Sequence, residues 1–419
     1  MNPTVLIATT RRWYPTARLG MALANAGCVV HSVCPSGHPL STTGALQQMH
    51  TYSGLRPLKS FQAAIEATQP NFIVPGDDLA TDHLHQLHSE LRQRNAADSV
   101  CDLIERSLGA SVGFPVVYAR TEFIKLAGQI GIRVPDTEIV QNVVGLKRWI
   151  ERAGLPTVLK TNGSSGGDGV RIVRTWCEAE NAFRRLQAPP LLARAAKRAL
   201  IDRDFTLVWP SVMRHRHTVN AQVFVTGREA TSTVVCREGS VLASLHFEVV
   251  NKVHARGHAT VVRVIKNAEM STAVEKIVRR LSLSGLHGFD FMIESDTGDA
   301  FLIEMNPRAT QVGHLSLGRG RDLPAALSAL LSGEARRVTP KVTENDTIAL
   351  FPQEWLRDPG SRFLKSAYHD VPWEEPALVG DCLRKGRKQD VAASKDWLPV
   401  PSGVISQPYA PPSFDYEME

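Results

Sequence analysis

Three short segments of this 419-residue chain hold residue types whose spacing suits phosphate and metal chemistry. The first is Lys160 with the run Thr161-Asn162-Gly163-Ser164-Ser165-Gly166-Gly167-Asp168-Gly169, which carries four glycines in seven residues. Glycine tolerates positive φ and lets consecutive backbone N–H groups approach phosphate oxygens. An ordinary hairpin loop is the competing reading. The lysine precedes this loop and a strand pattern follows it, so the order of parts differs from a Walker A loop. The second segment is Asp290 in the run 288–294. The third is Ala300-Phe301-Leu302-Ile303-Glu304-Met305-Asn306. Residues two apart on a strand share a face, so Glu304 and Asn306 point together. A charge amid Phe, Leu, Ile and Met is costly to bury unpaired. Two carboxylates and an amide oxygen on adjoining strands match a hard-cation site, where magnesium takes a few protein oxygens and leaves the rest to phosphate and water. A paired polar network is the plainer alternative. Arg308 follows two residues on and can counter an anionic cargo or simply pair with Glu304. Thr310 and Gln311 follow it and suit either substrate contact or a plain structural role, and His287 and His314 flank it and read as packed or supporting histidines ahead of catalysts.

These residues need elements to hold them. Residues 4–8 and 28–33 read as strands, with a helix over 16–25 between them that Gly27 ends. A helix over 61–67 leads to a strand at 72–75, and this alternation means a parallel α/β unit. Asp77 and Asp78 then fall at a strand's carboxyl end, where open α/β sheets place their sites; a helix N-cap is the equal alternative. No Gly-x-Gly-x-x-Gly follows the first strand, which argues against a Rossmann dinucleotide site. A helix beginning near Arg120 is capped by Gly131. Strands at 157–160 and 170–173 flank the glycine loop. Strands at about 218–225, 231–236 and 241–250 follow, with Gly227 and Gly239 marking two hairpins, then a strand at 259–264 and a helix over 270–281. From about Thr339 the character changes to a small C-terminal module with a proline-rich tail.

Composition bounds the class. Hydrophobic residues make up 43% and charged residues 21%, values of a globular chain rather than a disordered one. The net charge of +6 is a mild bias that suits an anionic ligand without demanding nucleic acid, and aromatics at 6% advertise no base-stacking platform. The six scattered cysteines include no Cys-x-x-Cys, which leads us to expect reduced thiols and a cytoplasmic setting. No uninterrupted apolar stretch suggests a membrane span.

Taken together, the chain resembles the ATP-grasp superfamily, being similar to the ATP-binding parts of carbamoyl-phosphate synthetase and biotin carboxylase. The likeness rests on Val158-Leu159-Lys160 with its glycine loop, the Asp290 strand, and Leu302-Ile303-Glu304-Met305-Asn306-Pro307-Arg308, in that order. It covers roughly residues 1–335 and implies an α/β and α+β architecture: an N-terminal parallel α/β domain over 1–115 and a two-part ATP-grasp body over 116–338 with a lid at about 140–206; the C-terminal module, read from composition, takes 339–419. It implies that Lys160 and Arg120 contact nucleotide phosphates and that Gly163, Ser164, Ser165, Gly166, Gly167 and Gly169 form a lid loop over them. Asp290, Glu304 and Asn306 become ligands of magnesium or manganese, and Arg308, assisted by Arg263, stabilises an acyl phosphate. The adenine hinge falls at Trp209, Pro210, Ser211 and Val212. Pro210 has no N–H to donate there. Where biotin carboxylase has a Glu after its arginine, Gly313 stands, and no Met-Lys-Met-like biotin attachment segment occurs.

The expected activity is an ATP-dependent carboxylate–amine ligase acting on a small acid and an amine, with no nucleic-acid or membrane partner and with self-association left open. A kinase or carboxylase-like variant and a non-catalytic ATP-binding sensor are the alternatives.

Overall fold

The computed structural model describes residues 2–94, 99–161, 169–188, 217–254, 257–334 and 340–393. Among the described residues the strands form three sheets. The first contains β1 (Thr4–Ala8), β2 (Val29–Cys34), β3 (Leu46–Thr51) and β4 (Phe72–Pro75), ordered β3-β2-β1-β4 and parallel throughout. The apolar runs Val5-Leu6-Ile7 and Phe72-Ile73-Val74 are fully buried, as strands covered on both faces must be. Helices α1 (Tyr14–Asn25), α2 (Pro57–Thr68), α3 (Asp78–Gln93) and α4 (Ser99–Leu108) provide the cover. Leu6, Phe61, Ile73, Leu84 and Ile104 form the core on one side of this sheet. Val5, Ile7, Leu19 and Leu23 face the other way, onto the large sheet described below.

Helices α5 (Phe114–Tyr118) and α6 (Arg120–Gln129) lead to a small antiparallel sheet. It contains β5 (Thr137–Val140), then, after α7 (Val143–Ala153), β6 (Thr157–Thr161) and β7 (Val170–Val173). After α8 (Trp176–Gln187) comes β8 (Val219–Val223), and the order is β5-β8-β6-β7. Leu146, Trp149, Leu159 and Phe183 pack the helices against it.

The large sheet begins with β9 (Gly227–Arg237), β10 (Ser240–Lys252) and β11 (Ala259–Val264). After α9 (Ala268–Arg280) it gains β12 (Gly285–Glu294) and β13 (Ala300–Asn306). Helix α10 (Leu323–Ser332) follows, then β14 (Thr347–Leu350), α11 (Gln353–Arg357), α12 (Phe363–Ser366), β15 (Tyr368–Asp370) and α13 (Pro376–Ala393). The strand order is β13-β12-β9-β10-β11-β14-β15. Gly239 does mark a hairpin: Glu238 and Gly239 both have positive φ, the signature of a tight β9–β10 turn. Gly227 does not, because β8 belongs to the small sheet. A Cβ on Gly227 would lie 2.1 Å from the Ile293 carbonyl oxygen, so glycine is what lets β9 close against β12. The segment expected as a C-terminal module adds β14 and β15 to the large sheet.

One face of the large sheet packs Phe289, Phe291, Leu302 and Met305 against α6 and α9. Full burial of each such side chain stabilises by about 1.5–3 kcal/mol. The opposite face carries Leu245, Phe247 and Val262 toward the parallel sheet. By alternation, Asp290 and Glu304 turn away from Phe289 and Phe291. At the far edge, Asp370 is 2% exposed and joins Arg18 of α1 at 2.6 Å and His314 at 2.6 Å. These two partners outweigh burial and hold its carboxyl below the usual range. The Tyr14 hydroxyl donates to the Leu378 carbonyl and ties α13 to α1.

Candidate functional site

The β12–β13 hairpin sets Asp290 directly opposite Glu304 and Gly288 opposite Asn306. Asn306 Nδ2 donates to Asp290 Oδ2 at 2.9 Å, which turns Asn306 Oδ1 outward as an acceptor. Burial raises the Asp290 pKa and the nearby Glu304 charge raises it further, while Asn306, Thr231 and Arg308 pull it back. Burial also pushes Glu304 up, but Arg120, Lys160 and Arg308 overcome that and leave it below the ordinary carboxylate range. The pair therefore divides into one carboxylate held firmly ionised and one that resists ionisation beside it, as neighbouring like charges do.

Cations reach this hairpin from two other elements. Arg120, the first residue of α6, meets Glu304 at 3.2 Å. The next residue, Thr121, donates to Asn220 Oδ1 of β8 at 2.5 Å, and Asn220 Nδ2 donates to the Lys160 carbonyl at 3.4 Å. These bonds brace the start of α6 against β6 and β8. Lys160 itself is 8% exposed. Burial pushes its ammonium down to about 8; Glu304 and Asp290 oppose the shift and Arg120 adds to it. Lys160 thus lies within electrostatic reach of the acidic hairpin, across from it on the small sheet.

Arg308 is held from the parallel sheet. Its Nε donates to Asp78 Oδ1 at 3.1 Å, one Nη donates to Asn306 Oδ1 at 3.3 Å, and its guanidinium lies 5.7 Å from the Trp13 ring centre. Thr81 Oγ1 donates to the Pro307 carbonyl and the Ala309 N–H to the Pro75 carbonyl. The two alternatives for Asp77 and Asp78 resolve by residue. Asp77 is the N-cap of α3, accepting from Ala80 N–H, and also takes bonds from Thr9 and Thr10. Asp78 is the arginine's partner. Asp78, Trp13 and Thr231 were not anticipated as neighbours of the hairpin; the strand-end position of Asp78 was the available signal.

Arg120, Lys160, Asp290, Glu304, Asn306 and Arg308 are therefore brought together. Arg263 is not. It pairs in register with Glu248, which pairs with Ala230, whereas Asp290 pairs with Thr231. Directly paired residues share a face and successive residues alternate, so Arg263 lies on the face opposite Asp290, and it is exposed. His287 Nε2 meets the Ser284 carbonyl at 2.7 Å in a buried setting that pushes its pKa down to about 4, as a packed histidine does. Since a carbonyl only accepts, Nε2 carries the proton. Gly163, Ser164, Ser165, Gly166 and Gly167, and the hinge residues Trp209, Pro210, Ser211 and Val212, lie outside the described residues. Gly169 is described: its carbonyl accepts from Thr161 N–H at 3.0 Å and joins the two ends of the glycine loop.

The donor set fits a hard cation. Asp290, Glu304 and Asn306 Oδ1 supply three oxygens, and among the described residues no cluster of three or more His, Cys, Asp or Glu completes a cage. Such a site suits an ion that draws its remaining ligands from phosphate and water.

Comparison with known proteins agrees with this geometry. Residues 119–316 match the family described as carbamoyl-phosphate synthase L chain, ATP binding domain. A curated relative, the biotin carboxylase of Haemophilus influenzae, is 26% identical over 191 residues, which span 46% of this chain and 39% of that protein. Among solved structures, the biotin carboxylase domain dimer of Hydrogenobacter thermophilus 2-oxoglutarate carboxylase, in complex with MgADP, ADP and bicarbonate, superposes with a TM-score of 0.57 at 14% identity. It covers 80% of this chain and 71% of that one. The N5-carboxyaminoimidazole ribonucleotide synthetase of Thermus thermophilus gives 0.56 at 15% identity, covering 80% of each chain. Among the described residues no helix is long and apolar enough to cross a membrane. Over residues 119–316, just under half of the chain, the sequence is therefore similar to the ATP-binding domain of the ATP-grasp proteins that its motifs resemble.

Proposed function

We propose that the chain is an ATP-dependent carboxylate–amine ligase that works through an acyl phosphate. The observation that carries this reading is the convergence of Lys160, Arg120 and Arg308 on the Asp290–Glu304 pair. A carboxylate does not condense with an amine near neutral pH, because oxide is a poor leaving group. Phosphorylation supplies a good one. A carboxylate oxygen attacks the γ-phosphorus, the bond to the bridging oxygen breaks, and ADP leaves. The amine nitrogen then attacks the acyl carbon, the C–O bond to phosphate breaks, and the nitrogen gives up a proton.

The first step brings two anions together, so fixed positive charge is the main requirement. Lys160 and Arg120 would lie along the phosphates, and Arg308, held at a fixed angle by Asp78, would meet the oxygens of the acyl phosphate. Asp290, Glu304 and Asn306 would hold magnesium or manganese, which when bound supplies charge neutralisation at the phosphates. The loop 163–169 would close over the phosphates and keep water from the intermediate.

A second reading takes bicarbonate as the acid. It is favoured by the structural neighbours, one of which is described as a complex with bicarbonate. The test is a screen of small acids, bicarbonate included, against amines for ADP and phosphate release, with labelled bicarbonate to follow carboxylation. Release that requires both an acid and an amine supports the ligase. Release with an acid alone supports a kinase. ATP binding without release under any mixture overturns both and favours a sensor.

A further inference from the structure

A cavity of about 440 Å³ opens between the start of β9 and the end of β10, its lining including Glu229, Val249, Val250, Asn251, Lys252 and His254. That size falls in the range of small-molecule sites. Strand register gives its place relative to the acidic hairpin. Asp290 pairs with Thr231 and Met292 with Glu229, so Glu229 shares the face of Asp290 and lies two residues, about 7 Å, along β9 from Thr231. Asp290, Met292 and Thr231 are half-buried and Glu229 is exposed, whereas Phe289, Phe291 and Ala230 on the reverse face are buried. The strip is therefore accessible from the carboxylate pair to the cavity. Against the burial that lowers the Lys160 pKa, Glu229 acts with Glu304 and Asp290 to raise it, so the cavity wall is within electrostatic reach of that ammonium as well.

The polar groups around the cavity differ in what they are tied to. Arg228 turns to the reverse face and meets Glu248 at 3.0 Å. Asn251 Nδ2 donates to the Glu354 carboxylate at 3.4 and 3.5 Å. Lys252 Nζ donates to Glu229 Oε1 at 2.5 Å, the two side chains being 20% and 47% exposed. An ion pair this open contributes little to stability, so a ligand carrying both signs can part it and replace one pair by two. Such a ligand holds its charges a few ångströms apart, and Val249 and Val250 offer it an apolar wall. An α-amino acid with an apolar side chain has these features.

We propose that this cavity binds the nitrogen substrate and that the substrate is an α-amino acid, its carboxylate on Lys252 and its amino group at Glu229. The inference rests on the ligase reading. Register sets the orientation. Glu229 stands on β9 beside the Asp290 pair, so the amino end faces the reaction centre. Lys252, at the end of β10, holds the carboxylate away from it, and the acid that is phosphorylated is a different molecule.

The test uses the full-length chain with ATP, magnesium and the acid found by the screen. Each amino acid is set against the amine that lacks its carboxylate: L-alanine against ethylamine and L-valine against isobutylamine. With kcat/KM for ADP release expressed per unprotonated amine, at least one amino acid should exceed its counterpart about tenfold or more, the worth of one charge-assisted bond. Lys252→Met should raise the KM for that amino acid about tenfold and leave the KM values for its counterpart amine and for ATP within about twofold. Lys252→Arg keeps the charge and should hold the rise within about threefold. The wild-type comparison needs no variant, so it decides the matter if Lys252→Met does not fold. Equal use of both amino acids and their amines, an unchanged amino-acid KM in Lys252→Met, or an equal rise in the KM for ATP overturns the inference and leaves the ligase reading intact. Wild-type protein that releases ADP with an acid and no amine overturns the ligase reading itself.

Discussion

The two sheets that flank the candidate site prepare it in different ways. On the large sheet, Asp290, Glu304, Asn306 and Arg308 are cross-linked to one another and to Asp78 and Arg120 by bonds of 2.9–3.3 Å. On the small sheet, Lys160 is held by its strand and its backbone, and its ammonium is pushed down to about 8. The large-sheet side is a fixed scaffold for charge. The small-sheet side carries a cation whose charge is easily lost, beside a glycine loop. The difference teaches that one wall is ready before ligand arrives, whereas the other gains from the arrival of phosphate, which would restore the lysine's charge.

Three substitutions probe that contrast. The largest effect is expected for Glu304→Gln, which removes one of two carboxylates from the fixed wall and the negative charge that Arg120 meets at 3.2 Å. ADP release should fall about 10³-fold, and full activity in this variant would discard the metal assignment. Next is Lys160. Its pKa is lowered, so the protonated form is lost as pH rises through about 8. The kcat/KM for ATP, which reports the free enzyme, should drop about tenfold per pH unit above that point. Lys160→Arg keeps its charge there and should move this alkaline limb upward; a limb that does not move would assign the titration elsewhere. The smallest effect is expected for Arg263→Ala, on the face turned away from both walls. A change beyond about twofold in kcat/KM, where exposed substitutions are usually near neutral, would break the assignment of faces.

Much of this was legible from local pattern. The strands at 4–8, 72–75, 259–264 and 300–306 coincide with apolar runs bounded by turn residues, and the two-residue spacing of Glu304 and Asn306 places both on one side of β13. What local pattern missed is long-range. β3, Leu-Gln-Gln-Met-His-Thr, is an edge strand of half-exposed polar residues and carries no apolar signature. Asp78 meets Arg308 across 230 residues of sequence, and β14 finds β11 by tertiary pairing. Arg263 is the instructive error. Its neighbours Val262 and Val264 face the core between the sheets, so the alternation of β11 already turned the arginine away.

Arg18 and Asp370 are joined across 352 residues. At about 5–20 residues per second on a ribosome, the acid is made roughly 20–70 seconds after the arginine it will meet. The opening βα units can fold in that interval, but the last strand that fastens them to the large sheet is still unmade. Closure of this seam between the parallel sheet and the large sheet is thereby tied to the synthesis of residue 370, and a nascent chain released before that point would lack the stitch.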